Sequence, residues 1–318
     1  MMERERERKL IAVAICTYNR PSGLSLVLQG VARQDISEPE VALRVIIVDN
    51  SADANARNFV LKTSESYRWP LTYYHETQRG ISYARNNALL DAVHGDDDYI
   101  AFIDDDEYPE PGWIAALLEV AHATDAAAVS GVVKARFAAT PPWWIAKGKF
   151  FDVSDFSDQE PVAFGHTSNA LVRLQEARAM GLKFDSRFSL TGGEDAMFFQ
   201  EIRDGRGRTV FSRGAVVYED IVPKRATLSW LVKRWYRTGN TDGRIILIRS
   251  GRLLGTALSL SYGVVRLAVG LTGVLATASF LLLRCVYTYR FMRVACRGAG
   301  FVQSIIGMPY EEYRTHDR

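Results

Sequence analysis

The chain has 318 residues, a formal net charge of +2, 47% apolar residues and 11% aromatics. That is long enough for one large domain or a domain with an appendage, and too apolar for a disordered or fibrous chain. The charge is unevenly spread: residues 243–310 hold eight arginines and no acid, residues 311–318 sum to −1, and residues 1–242 therefore carry −5. An acidic body joined to a basic, apolar tail predicts contact of residues 243–310 with an anionic membrane surface. No nucleic-acid partner is expected. The three cysteines, Cys16, Cys285 and Cys296, lack metal-ligand spacing, and their odd number fits a reducing compartment. The stretch before Leu10 is charged and has no apolar signal core, so no secretion signal is expected.

The apolar run Leu10 to Cys16 predicts a strand covered on both faces, followed by the loop Thr17-Tyr-Asn-Arg-Pro-Ser-Gly23. Leu24 to Ala32 has helical spacing. Val41 to Val48 predicts a second strand ending in Asp49-Asn-Ser-Ala-Asp53, then a helix over 54–66 and a short strand over 71–74. Ile81 to Val93 reads as a helix, and Tyr99 to Ile103 as a strand. This alternation predicts a doubly wound α/β fold with a mostly parallel, Rossmann-like sheet flanked by helices. Further on, 113–123 reads as helix, 127–133 as strand, 169–172 as strand, 175–180 as helix and 194–203 as helix. Two short strands are expected over 209–211 and 215–218, and a helix over 228–236. The stretch 138–158 shows little periodicity.

The strand from Tyr99 ends in four consecutive acids, Asp104-Asp-Asp-Glu107. Carboxylates at a strand end sit where open α/β sheets bind ligands. Crowded carboxylates repel, and a hard divalent cation such as Mg²⁺ or Mn²⁺ relieves that repulsion. A solvated acidic turn is the plainer alternative. Thr17-Tyr18-Asn-Arg20 and Asp49 end the two earlier strands with groups that suit a nucleotide. Glu194-Asp195 suits either a helix start, where acids favour the dipole, or a general base.

Taken together these strings resemble family 2 glycosyltransferases of the GT-A fold. The matching segments are Ala14-Ile-Cys-Thr-Tyr-Asn-Arg-Pro21, Val45-Ile-Ile-Val-Asp-Asn-Ser51, Arg79-Gly-Ile-Ser-Tyr-Ala-Arg-Asn-Asn-Ala88, Phe102-Ile-Asp-Asp-Asp-Glu107 and Gly192-Gly-Glu-Asp195. The resemblance spans residues 10–240 and is strongest to bacterial exopolysaccharide enzymes of succinoglycan type. It implies an inverting, metal-dependent, non-processive hexosyltransferase that uses a UDP-sugar donor, Mn²⁺ or Mg²⁺, and a lipid-linked oligosaccharide acceptor. It places such an enzyme at the cytoplasmic face of the bacterial inner membrane. It further implies roles: Asp49 contacts uracil, with Thr17, Tyr18 and Arg20 in the same pocket. Arg85 meets phosphate or ribose. Asp104 and Asp106 form the DXD pair, Asp106 as the direct metal ligand and Asp104 on ribose or a metal-bound water, with Asp104 and Asp105 counted among the donor-binding residues. Asp105 faces inward, Glu107 orients its neighbours, Asp195 is the base and Glu194 contacts the acceptor.

Downstream, Leu231-Val-Lys-Arg-Trp235 keeps Arg234-Trp235 but lacks the glutamine of processive relatives, which favours single-sugar transfer. Trp235 suits either acceptor stacking or a helix core. Trp143 and Trp144 suit either an acceptor platform or packing. His166 and Asn169 fall in the acceptor set, and His166 equally suits a structural role. Glu219 or Asp220 stands where relatives place a metal-binding histidine. The expected layout is a GT-A domain over 1–242, with a nucleotide half near 10–107 and an acceptor half near 108–242, and a helical membrane-associating tail over 243–318. In that tail the uncharged runs 253–265 and 267–283 are separated by Arg266. The longer would reach ~26 Å as a helix, short of a ~30 Å hydrocarbon core, so a re-entrant hairpin or two interfacial helices are expected. A nucleotidyltransferase and a non-catalytic, membrane-tethered carbohydrate-binding protein are the competing readings.

Overall fold

The computed structural model describes residues 9–36, 41–153, 156–163, 165–279 and 285–307. Within them the chain divides into two compact units. One comprises Met1–Ala135, Asp152–Leu190 and Glu194–Glu219; the other comprises Arg136–Phe151, Thr191–Gly193 and Asp220–Arg318.

The first unit is built on one eight-stranded sheet. Its strands are β1 (Lys9–Thr17), β2 (Val41–Asp49), β3 (Leu71–His75), β4 (Tyr99–Asp104), β5 (Glu107–Pro109), β6 (Ala128–Phe137), β7 (Asn169–Arg173) and β8 (Thr209–Ile221). They are ordered β3-β2-β1-β4-β7-β6-β8-β5. β1 runs parallel to β2 on one side and to β4 on the other. β4–β7, β6–β7 and β5–β8 are antiparallel. Chain direction along the sheet reverses at β1, the switch point where such sheets open a crevice at their carboxyl ends. The register puts Cys16 opposite Asp104 and Thr17 opposite Asp49, so three of the expected site segments meet at one edge.

Strand alternation divides the β1 side chains between two cores. Ile11, Val13 and Ile15 join one, with Leu24, Val27 and Leu28 of α1 (Pro21–Ala32). Ala12 and Ala14 join the other, with Ala84, Ala88 and Ala92 of α3 (Ile81–His94). This is the two-sided burial that the apolar run predicts. α2 (Arg57–Ser64), α4 (Trp113–Thr124), α6 (Leu174–Met180) and α7 (Glu194–Asp204) complete this unit. The helix after β1 begins with Pro21, whose fixed φ and missing N–H suit a first turn.

Several elements depart from the sequence reading. The two short strands expected over 209–218 are one strand, β8. Its polar middle is kept extended by outside partners: Ser212 Oγ donates to the Ala116 carbonyl at 3.1 Å, and Arg213 N donates to Asp158 Oδ1 at 2.8 Å. β5 was not anticipated, because three residues beside an acidic run carry no periodicity and form a strand only by pairing with β8. The aperiodic stretch contains a one-and-a-half-turn helix, α5 (Trp143–Gly148), just after Pro142. The helix expected over 228–236 runs on as α8 (Leu228–Ser250), with Thr227 Oγ1 capping Trp230 N at 3.3 Å.

In the second unit, the two apolar segments expected on either side of Arg266 form one helix, α9 (Arg252–Ala278). Arginine is a good helix former and does not break the run. Residues 280–284, the end of the expected second segment and Arg284 among them, lie outside the described residues, as do residues 311–318. α10 (Tyr287–Ile305) follows. α8, α9 and α10 pack through glycines that let backbones approach: Gly300 lies on the Tyr236 carbonyl, Gly263 near that of Gly298, and Gly270 on Ala295. A Cβ at any of the three would collide.

Candidate active site

The acidic turn after β4 is held from two sides. Thr17 Oγ1 donates to Asp105 Oδ2 at 2.8 Å. Arg20 Nη1 bridges Asp105 Oδ1 at 3.0 Å and Asp106 Oδ2 at 2.8 Å. Asp105 is buried and does face inward; burial lifts its pKa to about 6 against the pull of Arg20. Glu107 is buried too. Its Oε2 accepts from Asp104 N at 3.0 Å, and burial, with Asp104 adding to it, raises its pKa well above the usual carboxylate range.

Arg85 is the junction of the site. It is buried on α3, donates through Nη2 to Asp104 Oδ1 at 2.9 Å and pairs through Nη1 with Glu194 at the start of α7. Burial raises Glu194, with Asp195 adding to the rise and Arg85 opposing it. Its second oxygen, Oε2, is buried without a hydrogen-bond partner. Asp195 behaves oppositely. Burial pushes it up, but His166, Arg85 and the Ala196 N–H outweigh burial and hold its pKa below the ordinary range. His166 Nδ1 stands 3.7 Å from Asp195 Oδ2. Two adjacent carboxylates are thus shifted in opposite directions: at Glu194 burial outweighs the Arg85 pairing, and at Asp195 the His166, Arg85 and N–H partners outweigh burial.

The turn that delivers this pair is Thr191-Gly192-Gly193, with both glycines at positive φ (75° and 97°). Other side chains would be strained there.

Asp49 is completely enclosed. Its Oδ1 accepts from Ser51 N and Oγ, and its Oδ2 from Ala56 N at 2.9 Å and Tyr73 Oη at 3.0 Å. In this structure it organises the 51–56 loop. Asn50 does similar work on the 76–80 loop, donating to the carbonyls of Glu76 and Gln78 and accepting from Gly80 N. Tyr18 is half-buried, with the Arg79 guanidinium 5.8 Å from its ring centre.

The acceptor candidates fall in both units: His166 and Asn169 in the first, Trp143, Trp144, Arg234 and Trp235 in the second. Asn169 is fully buried: Oδ1 accepts from Trp113 Nε1 at 2.8 Å, and Nδ2 donates to the Val132 and Ala215 carbonyls at 2.9 Å. Its side chain therefore has nothing left to offer a sugar, and it ties β6, β7 and β8 together. Of the two in the first unit, His166 is the one beside Asp195. In the second unit, Trp144 stacks on Tyr289 at 4.4 Å and Trp143 meets the same ring edge-on at 5.9 Å. Trp235 is buried against Phe150, and Arg234 lies over Phe151 and Trp230. These aromatic faces are engaged internally. Asp220 forms a two-point ion pair with Arg136. Glu219 sits opposite Glu107 in the β5–β8 register.

Sequence reasoning did not find Arg85 as a bridge between the two acidic motifs, nor Cys16 among them. Cys16 faces Asp104 across the sheet, and burial pushes its thiol up to about 12. The pairing of Arg85 with Glu194 spans 109 residues and leaves no local signal.

A glycosyl transferase family 2 model matches residues 12–178. The chain is 34% identical over 309 residues to the succinoglycan biosynthesis protein ExoM of Rhizobium meliloti, covering 96% of each chain. It is 31% identical over 144 residues to a glucosyl-dolichyl phosphate glucuronosyltransferase of Haloferax volcanii, covering 44% of this chain and 42% of that protein. Among solved structures, the mannosyltransferase PcManGT of Pyrobaculum calidifontis, in complex with GDP-Man and Mn²⁺, superposes with a TM-score of 0.63. It is 19% identical over 93% of this chain and 86% of that one. S. aureus TarS 1-349 with UDP-GlcNAc gives a TM-score of 0.53 at 17% identity, covering 74% and 66%. The chain belongs to the family 2 glycosyltransferases and has their GT-A fold. It is a glycosyltransferase related to a protein of succinoglycan biosynthesis.

PcManGT is solved with Mn²⁺, and the acidic turn of this chain has residues that suit a divalent cation. Asp104 keeps a side chain 38% exposed while one oxygen is held by Arg85, and Asp106 is 22% exposed beside it. Among the described residues, no group of three or more acids, histidines and cysteines gathers to hold a metal unaided. Two aspartates with hard oxygens fit an ion that completes its shell from substrate phosphates and water.

Proposed function

We propose that this chain is an inverting, metal-dependent, non-processive transferase that moves a hexose from a UDP-sugar to a lipid-linked saccharide during exopolysaccharide assembly. Residues 1–242 would carry the transfer chemistry, and residues 243–318 the membrane association, at the cytoplasmic face of the inner membrane. The observation that carries the reading is Asp195, with His166 Nδ1 3.7 Å from its carboxylate, in the same unit as the Asp104–Asp106 turn. The relationship to ExoM supports the exopolysaccharide setting. The eight arginines without an acid in residues 243–310 and, among the described residues, a helix long and apolar enough to cross a membrane support the membrane setting.

In this mechanism the Asp195 carboxylate accepts the proton of the acceptor hydroxyl as its oxygen attacks the sugar C1, a role worth ~10²–10⁴ in rate. A single base with no second carboxylate nucleophile suits single displacement and inversion. Glu194 faces the acceptor from within its bridge to Arg85. Arg85 keeps Asp104 and Glu194 at fixed separation and offers its guanidinium to diphosphate or ribose. Thr17 and Arg20 hold Asp105 inward so that Asp104 and Asp106 point to the donor. A divalent cation held by these two would supply positive charge against the departing diphosphate. Asp49 acts through the 51–56 loop and Tyr18 on the nucleotide side.

The test is UDP release with membranes as acceptor source, across a panel of UDP-sugars. Asp195→Asn should abolish transfer while UDP binding stays within a few-fold. Unchanged turnover in that variant removes Asp195 from the chemistry.

A further inference from the structure

α9 buries one narrow face, and exposed apolar residues, Leu254, Val265 and Val269 among them, cover the rest of it. Gly255, Ser259, Gly263, Gly270 and Gly273 are buried against α8 and α10. On the opposite side Leu253, Leu260, Val264, Leu271 and Leu275 recur at spacings of seven and four and are exposed, Leu253 at 90% and Leu275 at 79%. No charge interrupts this stripe. Both arginines of the helix, Arg252 and Arg266, fall by spacing on the glycine side, and Arg266 lies 4.9 Å from the Phe301 ring.

By length α9 could cross a bilayer. Its neighbours argue otherwise. A hydrocarbon core takes about 20 helical residues, so any crossing segment of α9 would include residues 259–271. At that level stand Arg266 itself and Arg297, next to Gly298, which abuts Leu267. Arg297 is paired with Asp242. Arg293 stands two residues from Ala295, which abuts Gly270, and is exposed. At the other end, Ser259 Oγ donates to the Gly243 carbonyl, which brings Asp242 and Arg244 alongside. A crossing would therefore carry several charges of α8 and α10 to mid-bilayer depth, where they are expensive.

We infer that α9 lies in the plane of an anionic bilayer, its leucine–valine stripe sunk into the acyl boundary and the charges of α8 and α10 kept on the aqueous side. The inference rests on the membrane association proposed above and adds its orientation: one leaflet is engaged and none is crossed. An in-plane helix of this kind combines apolar burial with attraction of basic residues to anionic lipid. The acid-free, eight-arginine composition of residues 243–310 supplies that attraction.

The experiment uses the full chain with Cys16, Cys285 and Cys296 replaced by alanine. Single cysteines at Leu253→Cys, Val264→Cys and Leu275→Cys carry a bimane label. The label is read in phosphatidylcholine vesicles, with and without phosphatidylglycerol, holding lipids brominated at shallow or deep carbons. The expected result is equal quenching at all three positions, strongest from the shallow bromines, with several-fold more protein floating when phosphatidylglycerol is present. Val264→Asp should cut flotation several-fold. Deep quenching at Val264 with shallow quenching at the two ends would mean a crossing and overturn the orientation while leaving membrane binding intact. Absence of both quenching and flotation would overturn the membrane reading itself. Absence of quenching with concentration-dependent self-association in sedimentation would assign the stripe to a second copy and equally overturn the inference.

Discussion

Replacing Arg85 with methionine keeps most of the side chain's volume and removes its charge. Two ion pairs vanish, and they are unequal. Asp104 has a side chain 38% exposed, so water screens that arm and its loss costs little. Glu194 is buried, already has one oxygen without a partner, and would lose its counter-ion while standing next to Asp195. Breaking one side of a buried pair costs about 3–5 kcal/mol. The pH dependence gives a second check. Folded Glu194 has its pKa raised to about 7, so between its ordinary value near 4.5 and 7 the folded state binds more protons than the unfolded state, and stability falls as pH rises. Without Arg85 the folded value moves higher still. The deficit of Arg85→Met should therefore grow from pH 5.5 to pH 8. Urea unfolding of both proteins across that range measures it. A loss under about 1 kcal/mol, or one independent of pH, would refute the placement of Arg85 as the counter-charge of Glu194.

Three further outcomes are expected. Asp49→Ala orphans enclosed donors at Ser51, Ala56 and Tyr73, at about 1–3 kcal/mol for each group left unsatisfied; a fall in UDP affinity with an unchanged urea midpoint would instead make Asp49 a direct nucleotide contact. The lowered pKa of Asp195 puts the acid limb of the rate profile below the usual carboxylate range, with activity lost only as pH drops through that value. His166→Gln should move the limb up toward the ordinary carboxylate range, and a fixed limb would separate His166 from Asp195. Gly300→Leu drives a side chain into the Tyr236 carbonyl; overpacking costs typically ~1–3 kcal/mol, and faster proteolysis of the α8–α10 segment should report it.

Much of this protein is local in origin. The apolar runs at Leu10–Cys16, Val41–Val48 and Tyr99–Ile103 had to become strands covered on both faces, and the acids, threonine and arginine ending them had to gather at one sheet edge. Periodicity and strand ends are properties of neighbouring residues, so the chain order alone carries them. The motif strings likewise announce the family before any coordinate is known. Other features arise between distant segments. β5 exists only through its pairing with β8. Asn169 is a brace rather than a sugar contact because Trp113, Val132 and Ala215 converge on it. α9 is one helix because nothing at Arg266 stops it and glycines admit its neighbours. Above all, Asp104 and Glu194 are joined by a guanidinium from a third element. Such through-space balances of charge and burial depend on which side chains meet, and no stretch of sequence encodes that by itself.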